Sequence, residues 1–379
     1  MNRKMAYMRR LVMAAAVAGM TATAGSAANG GGEFTVATLN VDGLPESILW
    51  LIPCNPDGPG EGGTRRVSQY LTEKGYDIIG VQEDFNYDGE LRSSLQTDYD
   101  CGHWQGEIDL GGVNWLNIWR TKFGTDGLRQ FWRKEHQLES EQAVKWTASY
   151  GKFDHCWDDI VTKGFRRCEM TLEGGLAIVV YNMHMDASED DDEDSGDDAG
   201  DKEARRQQWH QLRDSVTARL DHRPVIIMGD MNSLYPRDSI QAIFIDPINA
   251  TGRHHVSDAW VEHDQGGVYP AVGSGDRRTA YANGEELDKI LYINPAEGRQ
   301  LQLEDYRIER DYVWESGTPL GDHYPVMARF SIVGDPDTGI RQRMTGQTAR
   351  KVYTLGGQQL PAIPSRPGIY IINGKKYIK

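Results

Sequence analysis

Val225-Ile-Ile-Met-Gly-Asp-Met-Asn232 decides the architecture of this chain. Its apolar run is too short for a helix and rich in β-branched residues, so it reads as a buried strand, and Gly229 ends it. Asp230 and Asn232 then fall just past the strand's carboxyl end. A lone Gly-Asp-x-Asn is an ordinary turn, because Asp and Asn side chains bond their own backbone. Upstream, Leu212, Val216 and Leu220 recur at helical spacing, and before them Leu176 to Tyr181 is a second buried strand running into Asn182-Met-His184. A strand, a helix and a strand in succession indicate an α/β protein.

The amino-terminal half repeats the arrangement. Phe34 to Leu39 alternates as a strand and breaks into the turn-rich Asn40-Val-Asp-Gly-Leu-Pro45. Val67, Tyr70 and Leu71 share a helix face that Gly75 stops, and the strand Ile78 to Val81 delivers Gln82-Glu83 to its end. Polar groups thus fall repeatedly at the ends of buried strands, where rigid scaffolds present binding and catalytic side chains.

The first 27 residues read as an address. Arg3, Lys4, Arg9 and Arg10 precede the apolar run Leu11 to Met20 and a small-residue stretch ending Ser26-Ala27-Ala28, the layout of a secretory signal peptide. The expected mature protein is secreted or held at the cell surface. Net charge is -15, and loss of those basic residues makes it more negative still, which disfavours nucleic acid and anionic lipid as partners. Cys54, Cys101, Cys156 and Cys168 suit an oxidising compartment and contain no Cys-x-x-Cys, which argues against zinc. Three disulfide pairings stay open, of which Cys156 with Cys168 closes a short local loop.

Six motifs follow one another: Thr38-Leu-Asn40, Gln82-Glu83, Asn182-Met-His184, Gly229-Asp230-Met-Asn232, Leu287-Asp288-Lys-Ile290 and Gly321-Asp322-His323-Tyr-Pro325. Over about residues 34–332 the set resembles the endonuclease/exonuclease/phosphatase (DNase I-like) superfamily of metal-dependent phosphoesterases. The resemblance implies a four-layered α/β/β/α sandwich of two mixed sheets flanked by helices. It implies Glu83 as principal metal ligand, with Asn40 and Asp322 assisting. Asp230 is then the group that orients or deprotonates water, and Asn232 holds a phosphoryl oxygen. His323 is oriented by Asp288, and His184 contacts phosphate. The metal is Mg2+, with Mn2+ or Ca2+ as alternatives, because a hard cation neutralises phosphate oxygens while taking few carboxylates. His254, His255 and His263 fall outside the motifs and are expected to bond a backbone carbonyl or face solvent. The chain departs from the pattern twice: Asp126-Gly127 opens a distorted version of a usual strand motif, and Gly321 stands where Ser is commoner.

In motif style, Leu44-Pro45 after Asn40 and Phe85 after Glu83 look like the neutral sphingomyelinase branch. The expected substrate is a phosphodiester of a sphingomyelin-like phospholipid. The alternatives are a DNase I-like endonuclease, an inositol-phosphate phosphatase and a catalytically inactive surface-binding module. Ile48 to Ile52 and Trp115 to Trp119 are tryptophan-bearing apolar segments that suit either a core or peripheral membrane contact. The acidic run Ser188 to Asp201 departs from calcium-loop spacing and reads as a solvated, self-repelling loop. Residues 339–379 form a short β-rich tail that resembles a type IX secretion sorting segment.

Overall fold

The computed structural model describes residues 32–45, 47–48, 52–53, 55, 58–104, 125–151, 161–187, 199–270 and 285–334, with four short strands beyond them. In chain order the strands are β1 (Glu33–Asn40), β2 (Ser47–Ile48), β3 (Ile52–Pro53), β4 (Ile78–Gln82), β5 (Tyr99–Cys101), β6 (Arg129–Arg133), β7 (Gln137–Lys145), β8 (Gly164–Thr171) and β9 (Ala177–His184). They continue as β10 (Val225–Asp230), β11 (His254–Asp258), β12 (Asp288–Pro295), β13 (Gln300–Ile308) and β14 (Val326–Val333). Helices α1 (Gly60–Lys74), α2 (Asp88–Leu95), α3 (Ala199–Thr217), α4 (Tyr235–Asp238), α5 (Asp246–Asn249) and α6 (Ala259–Asp264) lie between them.

Two six-stranded sheets result, ordered β13-β14-β1-β4-β6-β5 and β11-β12-β10-β9-β8-β7. Each is mixed. In each the parallel pair is central, β1 with β4 in one sheet and β9 with β10 in the other. The sheets pack face to face through these pairs, β1 on β10 and β4 on β9. Alternation explains the layering: Val36 and Ile78 point between the sheets, whereas Ala37, Leu39, Ile79 and Val81 point outward against Val67, Tyr70 and Leu71 of α1 and Leu91 and Leu95 of α2. On the far side, Trp209, Leu212 and Val216 of α3 join the core of the second sheet. At roughly 1.5–3 kcal/mol per buried large apolar side chain, these faces hold the four layers together.

Several expectations meet the structure directly. The stop signal at Gly75 is a left-handed cap (φ 68°) whose N–H bonds the Leu71 carbonyl. Leu220 lies past the end of α3 but still packs on the core. The Asp126-Gly127 segment leads into β6, which pairs antiparallel with β4, and the Gly127 carbonyl receives the Asp84 N–H at 2.9 Å. Cys168 is a free buried thiol and Cys101 is also free, while Cys54 and Cys156 lie outside the described residues. The signal segment, the Trp115 to Trp119 stretch and the acidic run up to Asp198 lie outside them too. Among the described residues no helix is long and apolar enough to cross a membrane.

The chain divides into two compact units, Met1–Pro336 and Asp337–Lys379. The second contains β15 (Val352–Thr354), β16 (Gln359–Leu360), β17 (Ile369–Ile372) and β18 (Lys375–Ile378), in the order β16-β15-β17-β18 and antiparallel throughout.

Candidate active site

The strand register assembles the site. Asn40 ends β1, Glu83 follows β4, and His184 and Asp230 end β9 and β10, so the carboxyl ends of both parallel pairs converge. Asp230 sits opposite His184 on one side and opposite Asp288, the first residue of β12, on the other. Gly229 permits this approach: at φ 148°, a Cβ there would come within 2.0 Å of the Met183 carbonyl oxygen. Asp322 and His323 arrive on the loop between β13 and β14.

A buried polar tie fixes the sheets relative to each other just below the site. Gln82 Nε2 donates to Asn182 Oδ1 at 2.6 Å and to Thr38 Oγ1 at 3.0 Å, and Asn182 Nδ2 donates to the carbonyls of Val81 and Arg129 at 3.0 Å. One layer up, Asn40 Nδ2 donates to Glu83 Oε1 at 2.8 Å and Asp230 Oδ2 at 3.1 Å, joining the two sheets again.

Backbone strain concentrates here. Of four non-glycine residues with positive φ among the described residues, three are Asp42 (50°), Glu83 (59°) and Asn232 (45°). Asp and Asn tolerate this conformation, and each is held by an Asx bond, Asp42 N–H to Asn40 Oδ1 and Asn232 N–H to Asp230 Oδ1, both 3.0 Å. Glu83 has no such excuse and costs about 1–3 kcal/mol. Its carbonyl receives the N–H groups of Gly43 at 3.1 Å and Phe85 at 2.8 Å, and a Cβ on Gly43 would come within 2.3 Å of that oxygen.

The histidines differ in state. His323 Nδ1 lies 2.7 Å from Asp288 Oδ2, leaving Nε2 3.8 Å from Asp230 Oδ2. Burial alone would lower its proton affinity, but the charges of Asp288, Asp322 and Asp230 carry it well above the usual histidine range. His184 Nε2 lies 3.6 Å from Asp230 Oδ2 and 3.8 Å from Glu83 Oε1, and its Nδ1 is buried without a hydrogen-bond partner. Burial and the Lys163 ammonium hold His184 well below the usual range, so it is neutral. Burial pushes the Asp230 carboxyl up, yet His323, His184 and the Asn40 amide keep it below its ordinary value. The opposite holds for Glu83, raised by burial and by Asp322, and for Asp42, pushed up to about 8 by burial, Asp322 and Glu83.

The profile of the Endonuclease/Exonuclease/phosphatase family matches residues 37–294. The chain belongs to this family. Members are hydrolases acting on phosphoesters. Curated sphingomyelinases of Mycobacterium bovis and Mycobacterium tuberculosis are 26% identical over 309 residues, covering 80% of this chain and 54% of theirs. The chain therefore spans about half the length of the curated relatives it matches. Among solved structures, a humanized D. rerio TDP2 aligns with a TM-score of 0.54 at 12% identity, covering 79% of this chain and 98% of that one. An endonuclease/exonuclease/phosphatase from Bacteroides vulgatus aligns at 0.51 with 18% identity, covering 80% and 100%. These likenesses show the shared α/β sandwich.

All eight site residues read from the family motifs lie at this one edge of the sandwich. Two further ionisable groups of the site fall outside the sequence motifs. Asp42 hides in the turn-like Asn40-Val-Asp-Gly43, where its residue type already explains itself. Lys163 precedes β8, donates to the Met185 carbonyl at 3.2 Å and supplies positive charge to Glu83, His184 and Asp230; nothing in its sequence neighbourhood marks it. Outside the site, His254 Nε2 lies 2.8 Å from the Asp221 carbonyl, while His255 and His263 are exposed, as expected of histidines outside the motifs.

Proposed function

We propose that the protein is a secreted or cell-surface Mg2+-dependent phosphodiesterase that hydrolyses a sphingomyelin-like phospholipid. The observation that carries this reading is the 26% identity to curated sphingomyelinases over 80% of the chain, joined to a site in which Asn40 bonds Glu83 and Asp230 and His323 bonds Asp288. The donor chemistry fits a hard cation. Glu83, Asp42 and Asp322 are oxygen donors, and burial together with their like charges raises the proton affinity of Glu83 and Asp42, a cost that a positive partner would relieve. A second grouping, Asp230, Asp288 and His323, has donor atoms within 4.8 Å of one another. There, however, His323 already bonds Asp288. Glu83 with Asp322 is thus the better cation seat, and Asn40 steadies Glu83 through its amide N–H.

Glu83 and Asp322 would hold a divalent cation there, which would supply charge neutralisation for the phosphoryl and leaving oxygens. The protein's own groups handle the water and the protons. Asp230, ionised and held by Asn40 and by the Asn232 N–H, orients the attacking water. Asp288 fixes the His323 ring so that Nε2 faces the reaction centre as a proton-bearing donor, while neutral His184 and the Asn232 amide meet phosphoryl oxygens. A zwitterionic phosphocholine head group tolerates an acidic protein of net charge -15, whereas a polyanion is repelled by it. Residues 1–27 serve as the export signal in this reading, and residues 339–379 as a sorting or attachment segment.

Purified mature protein with Mg2+, offered sphingomyelin vesicles, duplex DNA and inositol phosphates in parallel beside His323→Ala, tests the proposal. Phosphocholine release that needs both Mg2+ and His323 is the expected result. Nicking of DNA or phosphate release from inositol phosphates with the same requirements would replace the lipid substrate, and metal-bound protein inert on all three would favour a binding module. Fractionation of the source cell, with amino-terminal sequencing of the exported form, tests the localisation.

A further inference from the structure

The loop that brings Asp322 and His323 to the site is bolted to α1. Tyr70 Oη donates to Asp311 Oδ1 at 2.6 Å, Lys74 Nζ lies 2.6 Å from Glu309 Oε2 and 3.0 Å from Asp311 Oδ2, and Tyr76 Oη donates to Glu309 Oε1 at 3.0 Å. The loop also pairs with itself: Val313 bridges Pro319, and the Leu320 N–H donates to the Tyr312 carbonyl at 3.2 Å. These contacts place the Tyr312 ring edge-on to Tyr70, with centroids 5.1 Å apart, directly beneath Gly321.

Tyr312 is fully buried, and its hydroxyl has no hydrogen-bond partner, although the neighbouring Tyr70, Tyr76 and Tyr99 hydroxyls each have one. Burial, Asp322 and Asp42 all push its ionisation far up, so it is a fixed proton donor beside those carboxylates. Asp322, by contrast, is exposed and makes no hydrogen bond among the described residues. A buried hydroxyl left unpaired is costly and a free carboxylate is poorly placed to hold an ion. Each group lacks what the other offers. Gly321, the residue before Asp322, stands against Tyr312: a Cβ there would lie 3.9 Å from the Tyr312 hydroxyl and from its ring edge.

We propose that Tyr312 is a positioning residue for the cation seat, its hydroxyl donating to the Asp322 carboxylate when a divalent cation binds. The inference rests on the metal-dependent reading above, and it gives this chain a tyrosine hydroxyl next to the position where the family pattern more often has a serine. Thermal melting across a Mg2+ titration, with wild type, Tyr312→Phe and the double variant Tyr312→Phe/Gly321→Ser, tests it. Without metal, Tyr312→Phe should melt at the wild-type temperature or about 2 °C higher, because an unsatisfied hydroxyl is gone. Its Mg2+ concentration for half the stabilisation should rise about tenfold, the loss expected of one hydrogen bond to a charged group. The serine hydroxyl of the double variant should recover most of that loss. Wild-type Mg2+ dependence in Tyr312→Phe would overturn the proposal while leaving the metal reading intact. A metal-free melting temperature several degrees lower would assign the hydroxyl a structural role instead. Absence of any Mg2+ response in wild type would remove the metal reading and this inference with it.

Discussion

The two halves of the site treat negative charge in opposite ways. Around His323 and His184, each carboxylate is answered: Asp288 by His323 at 2.7 Å, and Asp230 by Asn40, the Asn232 N–H and both imidazoles. Around Glu83, the carboxylates face one another: burial raises the proton affinity of Glu83 and Asp42, and the Asp322 charge raises it further. The histidine half is preorganised by the protein alone. Its neighbour is built with a deficit that the proposed cation would fill. Proton handling and charge neutralisation are thereby assigned to different residues, and each can be broken separately.

The largest effect should come from the preorganised half. His323→Ala, and Asp288→Asn, which leaves His323 without its anionic partner, should each lower kcat by roughly 10^3–10^4-fold, as loss of an oriented histidine does elsewhere. Mg2+-induced stabilisation should persist in both. Steady-state kinetics beside thermal melting reads the two properties together, and joint loss of activity and metal response would dissolve the division.

Glu83→Gln is the reciprocal cut. At a fixed Mg2+ concentration activity should fall about 10^2–10^3-fold, with the Mg2+-induced rise in melting temperature abolished. The proton affinity of His323, followed by NMR titration, should change little, because its largest supporting charge is Asp288. A variant that kept full Mg2+ stabilisation would place the ion in the Asp230, Asp288 and His323 group instead.

Both halves depend on the tie beneath them. Asn182→Leu removes one of the two partners of the Gln82 amide and the side-chain donor to the carbonyls of Val81 and Arg129 inside the sandwich. The expected cost is about 3 kcal/mol, read from the denaturation midpoint in urea. If stability were unchanged, packing alone would be setting the approach of the sheets.

Much of this arrangement is legible in the sequence because a strand announces itself by an apolar run and its end by the first polar residue. Asn40, Glu83, His184 and Asp230 each sit at such a transition, so periodicity and ordered motifs together place them. The edge strands β7, mostly exposed, and β13 carry a weaker signal, and β8 holds the buried charge Arg166, whose partners Asp126 and Glu141 are distant in sequence. Arg166 is paired bidentately by Asp126, just before β6, at 3.0 Å and by Glu141 of the adjacent β7 at 3.0 Å, so the Asp of the departing Asp126-Gly127 segment compensates a buried charge of the facing sheet. Asp42, Lys163 and Tyr312 share one reason for escaping notice. Their roles come from what faces them across the fold, and local sequence holds no record of that.

The smallest effect is a slope with pH, and it separates the halves without touching a motif residue. Asp42 has its folded pKa pushed up to about 8, against about 3.9 for an unperturbed Asp. Between those values the folded protein holds a proton that the unfolded chain has lost, so stability falls as pH rises through the window. Glu83, also raised, acts in the same direction, whereas Asp230, lowered, contributes stability that is lost only as pH falls through its folded pKa. His323, raised, loses its contribution only above the unperturbed histidine value of about 6.5, whereas His184, lowered, adds stability as pH rises towards that value, so between about pH 4.5 and 6.5 it opposes the carboxylates and Asp42 is read from the difference between wild type and Asp42→Asn. The carboxylates pull the metal-free melting temperature down with rising pH across that interval, and Asp42→Asn should make this downward component shallower than in wild type. Saturating Mg2+ should flatten it further, because a cation among ionised carboxylates removes the reason to hold protons. An identical slope in wild type and Asp42→Asn would mean that Asp42 shares its charge with solvent, and the deficit that distinguishes the Glu83 half would then reduce to Glu83 and Asp322 alone.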